Sequence, residues 1–446
     1  VAGYDNYPVW GGSLEPTAPS VVALSLDTVR GWGRYDAAAT AFGGFMINEM
    51  LIGAQGHDII GYTPRPNQSI AWSAQSFARG ATALLFFRYR AAAFGQEEFC
   101  YGVLDHTTPV GTGRKWAEAK AIFALARNHA PLWLAPVVAK VALLYDPDSI
   151  FAWQAQPHST AFDFTAEAAR MHYGFWRHGV PIDVISTERT SGAAGRDSSR
   201  VADAMIDLSA YRILLLPAPM LVSDKLFSAL SAFVQRGGSL WVGFRADLKD
   251  RPTNQMRRTS SRLAALAGVI VQEIESLNLP ATVPLRAADA KRTANHTASA
   301  AVWRDGLRIA PGSNATAVWD YADADFFGGL RLHAVTHRRL ASGGEVNYIG
   351  TGIEATALER LATSTLTLQR LGPGLGGEAA PPAQPVEVEE LRRIDSSGQA
   401  WVVRINYAST AHRVPVAGGK EIILPPYGVS VLPEREGGDE AITSGK

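Results

Sequence analysis

Before Val137 the apolar positions fall in short continuous runs separated by long loops rich in glycine, proline and aromatic residues. GGFMIN (43–48) is a run of strand length, as expected of a strand covered on both faces. A long loop with TPRP follows, then a helix near SIAWSAQSFARG, the strand ATALLFFRYR (81–90), a second long loop and the helix RKWAEAKAIFALARN. Alternation of this kind predicts part of a β/α-barrel, whose chemistry lies in loops at the carboxyl ends of strands.

From Val137 the pattern changes to apolar runs alternating with amphipathic helices. Strands are predicted at 141–146, 182–186, 211–218 and 239–244, with helices at 163–179 and 224–238. This predicts a doubly wound, flavodoxin-like parallel sheet over residues 137–365. Residues 366–385 read as a linker, for although Gly372, Gly374 and Gly377 satisfy GxGxxG, Pro373 interrupts the match and prolines follow where a helix is needed. Short alternating runs in 386–435, such as QAWVVRINY, predict a small antiparallel β-domain, and 436–446 a disordered tail. The fold class is therefore α/β: strand-helix alternation of the β/α-barrel (TIM-barrel) kind at 1–136, a doubly wound domain, and a β-domain.

Composition narrows the partners. Lys+Arg and Asp+Glu both count 42, and no block of like charge suggests nucleic acid or an acidic membrane, so a small neutral substrate is expected. Cys100 is the only cysteine, which excludes an intrachain disulfide or a cysteine-cluster metal site and favours a reducing, cytoplasmic location. The histidines show no ligand spacing, so neither metal nor cofactor is expected. The apolar stretch 131–145 is broken by Pro136 and Lys140 and falls short of the ~20 residues of a membrane span. The opening VAGYDNYPVWGG has no signal-peptide pattern.

Glu49 ends an apolar strand and precedes a glycine-containing loop, which puts a carboxylate at the mouth of a barrel. Glu97 and Glu98 follow the next strand, near Arg88 and Arg90. Charged groups there would bond sugar hydroxyls or form a loop salt bridge.

GGFMINEM, the Arg65-Pro66 pair, Trp72, ARGATALLFFRYR and GQEEFCYGVLDH resemble the seventh and eighth strands of the glycoside hydrolase family 42 β-galactosidases. YDNYPVWGG resembles the segment after that family's sixth strand, VALLYD and FVQRGGSLWVGF its trimerisation domain, and the tail its C-terminal β-domain. The resemblance implies retaining hydrolysis of a galactoside or galacto-oligosaccharide by a homotrimer, with Glu49 as nucleophile. It implies that Glu97, at the Glu of the family's E-x-F-H, binds galactose hydroxyls, with Arg88 beside it. Asp5, Asn6, Tyr7 and Trp10 are weaker candidates for lining the same cleft.

Two positions depart from the family. Cys100 stands where E-x-F-H has His, and His57 stands where many members have Trp eight residues after the nucleophile. An arabinopyranoside is therefore an alternative substrate. The family's acid/base Glu follows an Asn at the end of the fourth strand, so the resemblance implies a chain cut before its sixth strand. Reading Asn48-Glu49 as that Asn-Glu pair fits the downstream spacing less well. A non-catalytic assembly module is the opposing function: the 137–360 segment resembles class I glutamine amidotransferases in topology but has no cysteine nucleophile.

Overall fold

The computed structural model describes residues 2–33, 44–187, 207–278, 281–288, 297–323, 328–371, 386–416 and 420–434. Internal contacts divide the chain into two compact units. One comprises Val1–Val138, Trp176–Pro181 and Pro381–Lys446, the other Ala139–Phe175 and Ile182–Ala380.

The first unit holds a parallel sheet of β1 (Gly3–Asn6), β2 (Phe45–Leu51) and β3 (Ala81–Phe87) in that spatial order. Helix α1 (Pro19–Gly33) lies between β1 and β2 in sequence, α2 (Gln68–Ala78) between β2 and β3, and α3 (Arg114–Asn128) follows β3. The second and third strands and the last two helices lie where the sequence puts them.

Helix α2 is buried almost throughout, which explains its small-residue sequence, QSIAWSAQSFA. Ala71, Ala74, Phe77 and Ala78 pack on Leu391, Val403 and Ile405 of the C-terminal segment, while Trp72 joins Phe45, Ile47 and Leu26. Two of its buried serines bond back to the helix, Ser73 Oγ to the Ser69 carbonyl at 2.8 Å and Ser76 Oγ to that of Trp72 at 3.1 Å.

The C-terminal segment is antiparallel, as expected: one sheet pairs Val388–Ile394, Ala400–Asn406 and Val429–Pro433, another pairs His412–Pro415 and Glu421–Leu424. It does not stand apart as a domain, because its apolar face is part of the core under α2. Arg393 is buried and donates to the carbonyls of Phe77, Ala78, Leu132 and Ala135, supplying partners to helix carboxyl ends.

The second unit is α/β, but its sheet is mixed. Strands Ile182–Ser186, Val141–Tyr145, Ile213–Leu216, Ser239–Gly243 and Glu345–Ile349 are parallel neighbours. His333–Arg339 then joins antiparallel, and the sheet continues to eleven strands through residues 269–321 and 351–353. The expected doubly wound parallel sheet is thus half of a larger one. Helix Asp224–Gln235 is capped by Ser223, whose hydroxyl accepts from the Leu226 amide, and buries Leu226, Leu230, Phe233 and Val234.

Residues 366–368 of the expected linker belong to helix Ala355–Leu368, while 372–385 and the tail 436–446 lie outside the described residues. Among the described residues, no helix is long and apolar enough to cross a membrane.

Candidate active site

The parallel register sets Asp5 of β1 beside Glu49 of β2. Tyr4 pairs with Ile47 and Asp5 with Glu49, so β2 carries an extra residue, Asn48, at that point. A second irregularity between Ile47 and Met50 breaks the pairing with β3. Bulges re-aim side chains, and here they bring Glu49 out of the alternation that buries Phe45 and Ile47. Gly3 faces the same feature: a Cβ there would stand 2.2 Å from Asn48 Nδ2 and would displace that side chain.

Tyr7 lies two residues beyond Asp5, hence on the same side of the chain. Its hydroxyl donates to Glu49 Oε2 at 2.6 Å. Burial first, then the bond to the Glu49 carboxylate, raise the Tyr7 phenol above its ordinary value, so it stays a donor. Asp5 is raised too, by burial and then by the Glu49 charge, as expected for two carboxyl groups sharing one place.

Trp10 meets Tyr7 edge-on at 5.1 Å and His57 edge-on at 5.2 Å. The Gly11 amide anchors this loop on the Gln55 carbonyl at 3.0 Å. Tyr7, Trp10 and His57 therefore form a row of rings leading from Glu49, with both Trp10 and His57 exposed.

Two candidates are not brought here. Asn6 is 1% exposed and donates to Ser76 Oγ at 3.2 Å, on helix α2; strand alternation turns it away from Asp5 and Tyr7. Cys100 is completely buried and its thiol lies on the Gly56 carbonyl at 3.4 Å, so it offers nothing to a cleft. Glu97 is half-exposed and pairs with Arg88, the loop salt bridge that its spacing also allowed. The Arg88 guanidinium rests on the Phe87 ring at 4.6 Å.

Gln55 carries no sequence signal, yet it braces the site. Its amide donates to the carbonyls of Phe87 at 3.0 Å and Tyr101 at 2.9 Å, joining the loop after β2 to the end of β3 and to the loop containing Glu97. A cavity of about 310 Å³ in these loops is lined by Ala54, Tyr101, Asp105 and Lys115, among others, but not by Glu49. The site is placed on Glu49 because the hydrogen-bonded carboxylate is there. Among the described residues, no group of three or more His, Cys, Asp or Glu could hold a metal ion.

Comparison with known proteins identifies the family. Residues 139–191 and 199–371, just over half of the chain, match the family model for the β-galactosidase trimerisation domain, and residues 1–126 match that for β-galactosidase. The chain belongs to glycoside hydrolase family 42. Among family 42 relatives, β-galactosidase BglY of Alicyclobacillus acidocaldarius is 25% identical, over 98% of this chain and 61% of that protein. β-Galactosidase BgaA of Clostridium cellulovorans is 27% identical, over 61% of this chain and 38% of its own length. The chain thus spans less than two thirds of the length of these relatives.

The crystal structure of the Rahnella sp. R3 β-galactosidase has the same fold, with a TM-score of 0.78 at 20% identity, over 97% of this chain and 60% of that one. Trp10, contacted by His57, is the exposed aromatic beside Tyr7.

Proposed function

We propose that this chain carries the nucleophile portion of a retaining β-galactosidase, with β1, β2 and β3 as the sixth to eighth strands of its barrel. Glu49 attacks the anomeric carbon of a terminal β-galactoside, the glycosidic oxygen leaves with a proton from a second carboxyl group, and water then releases galactose. The hydrogen bond between Tyr7 and Glu49 Oε2, at the end of a parallel strand, is the observation that carries the reading. The names of the family 42 relatives support the substrate, a galactoside or galacto-oligosaccharide, and arabinopyranosides are the alternative. Trp10 and His57 supply an aromatic wall, and Glu97, held by Arg88, bonds sugar hydroxyls.

In retaining enzymes the two carboxyl groups stand about 5–5.5 Å apart. Asp5 neighbours Glu49 but is held in the sheet register beside it, where it serves to shape the charge at the nucleophile. We assign the proton donor to residues outside this chain, in keeping with the greater length of the relatives. The match to the trimerisation domain supports a homotrimer.

A reagent that needs no proton donor tests the nucleophile by itself. 2,4-Dinitrophenyl 2-deoxy-2-fluoro-β-D-galactoside has an activated leaving group, so Glu49 alone should form a galactosyl ester, read as a mass gain on the peptide containing Glu49. Glu49→Gln should abolish the adduct. An adduct on another residue, or none under conditions where the chain is folded, would refute the assignment. Turnover of lactose by this chain that Glu49→Gln abolishes would overturn the placement of the donor elsewhere.

A further inference from the structure

A second cleft, of about 640 Å³, opens in the first unit between the loop after β2 and the turn joining the last two strands. That volume lies within the range of small-ligand sites. Tyr62, Arg65, Asn67, Glu15, Ser409 and Tyr427 line it, and Glu49, Tyr7, Trp10 and His57 do not.

Both tyrosines are half-buried and anchored. Tyr62 packs on the core around Trp72, its hydroxyl donates to Gln68 Oε1 at 3.1 Å, and the Arg65 guanidinium lies over its ring at 4.6 Å. Tyr427 packs on the core under α2. It is held at φ 52° in the sequence Pro425-Pro426-Tyr427-Gly428, with its amide on the Ala408 carbonyl at 3.1 Å and the Gly428 amide on that of Pro425 at 2.8 Å. A bulky residue seldom adopts that left-handed conformation, and such departures cluster at binding sites.

The polar groups of the cleft are unspent. The Glu15 carboxylate, the Arg65 guanidinium, the Asn67 amide side chain and the hydroxyls of Ser409 and Tyr427 make no hydrogen bond or ion pair with the described residues. Glu15 and Arg65 carry opposite charges in one cleft without pairing. The Tyr427 phenol is raised by burial first and then by Tyr62, with Arg65 opposing.

Aromatic rings receive the C–H faces of a pyranose, while a mixed set of donors and acceptors takes its hydroxyls, each of which both donates and accepts. A proline-rich peptide would also suit tyrosines and prolines, but it offers chiefly carbonyl acceptors and would leave Glu15 without a donor. We propose that this cleft is a second saccharide-binding site, which takes a neutral galacto-oligosaccharide through Tyr62 and Tyr427 as apolar walls and Glu15, Arg65 and Asn67 as hydroxyl partners. Only the choice of galactose units rests on the proposed function; the cleft chemistry does not.

The test is calorimetric titration of the full chain, carrying Glu49→Gln to prevent turnover, with β-1,4-galactotetraose. Adding Tyr427→Ala should weaken binding at least tenfold, and Ser409→Trp, which fills the cleft from an exposed position without touching the core, should do the same. The proposal is overturned by an absence of binding before either change, by an affinity unaltered in Ser409→Trp, or by a proline octapeptide that displaces the saccharide and binds more tightly. Labelling of Glu49 by the fluorosugar in the Ser409→Trp chain should be unchanged. In the chain with its cleft intact, labelling of Glu49 without any binding of galactotetraose by the Glu49→Gln chain would sink the cleft alone, and cleft binding without labelling would sink the catalytic reading alone.

Discussion

At the scale of the residue, two neighbours at the end of β1 serve different layers. Tyr7 reaches Glu49, whereas Asn6 reaches Ser76 on α2. Tyr7→Phe keeps the ring against Trp10 but removes the bond that fixes the carboxylate. Hydrogen bonds to charged groups contribute about 1.5–3 kcal/mol, so a carboxylate freed to rotate should be labelled by the fluorosugar about tenfold or more slowly. Asn6→Ala should leave the labelling rate of the folded chain unchanged. Equal rates in Tyr7→Phe and the parent chain would remove Tyr7 from the positioning of Glu49. The candidates themselves were legible as residue types near an apolar strand end. Which of them share a face is not legible, because VAGYDNYP contains no apolar run from which a strand and its period of two could be read.

At the scale of the element, α2 is clamped by charges that no local pattern shows. Arg79 at its carboxyl end donates to Asp27 Oδ2 of α1 at 2.5 Å and to Glu389 Oε1 of the C-terminal sheet through Nη2 at 2.5 Å, and all three side chains are buried. Gln75 and Tyr407 add donors to Glu389 Oε2 at 2.8 and 2.7 Å. Glu389→Ala leaves Arg79 with Asp27 alone and strands the donors of Gln75 and Tyr407. Breaking a buried pair from one side costs about 3–5 kcal/mol, so urea unfolding should shift to much lower concentration. A loss under about 1 kcal/mol would contradict the burial of the pair. Helices α2 and α3 were predictable from periodicity, which is local. Arg79 and Glu389 stand 310 positions apart, and their pairing adds to the apolar packing by which the C-terminal strands join the first unit when their alternation predicts a separate domain.

At the scale of the whole molecule, the proposed trimer is to be distinguished from irregular association. The match to the trimerisation domain favours a discrete trimer, with a mass three times the 47.8 kDa of the chain. Among the described residues, β1 and β3 are the edges of a three-stranded parallel sheet, and Leu85 on β3 is 54% exposed. Parallel sheets are ordinarily covered on both faces, and an apolar edge strand is a template for irregular pairing. Light scattering after size-exclusion chromatography should therefore show a trimer together with larger, concentration-dependent species. Leu85→Lys places a charge on the exposed edge and should reduce the large species while leaving the trimer intact, because residues 139–371, which match the trimerisation domain, do not include β3. A strictly monomeric chain would count against assembly through that domain. A trimer lost together with the large species in Leu85→Lys would show that the edge of the barrel sheet holds the subunits together.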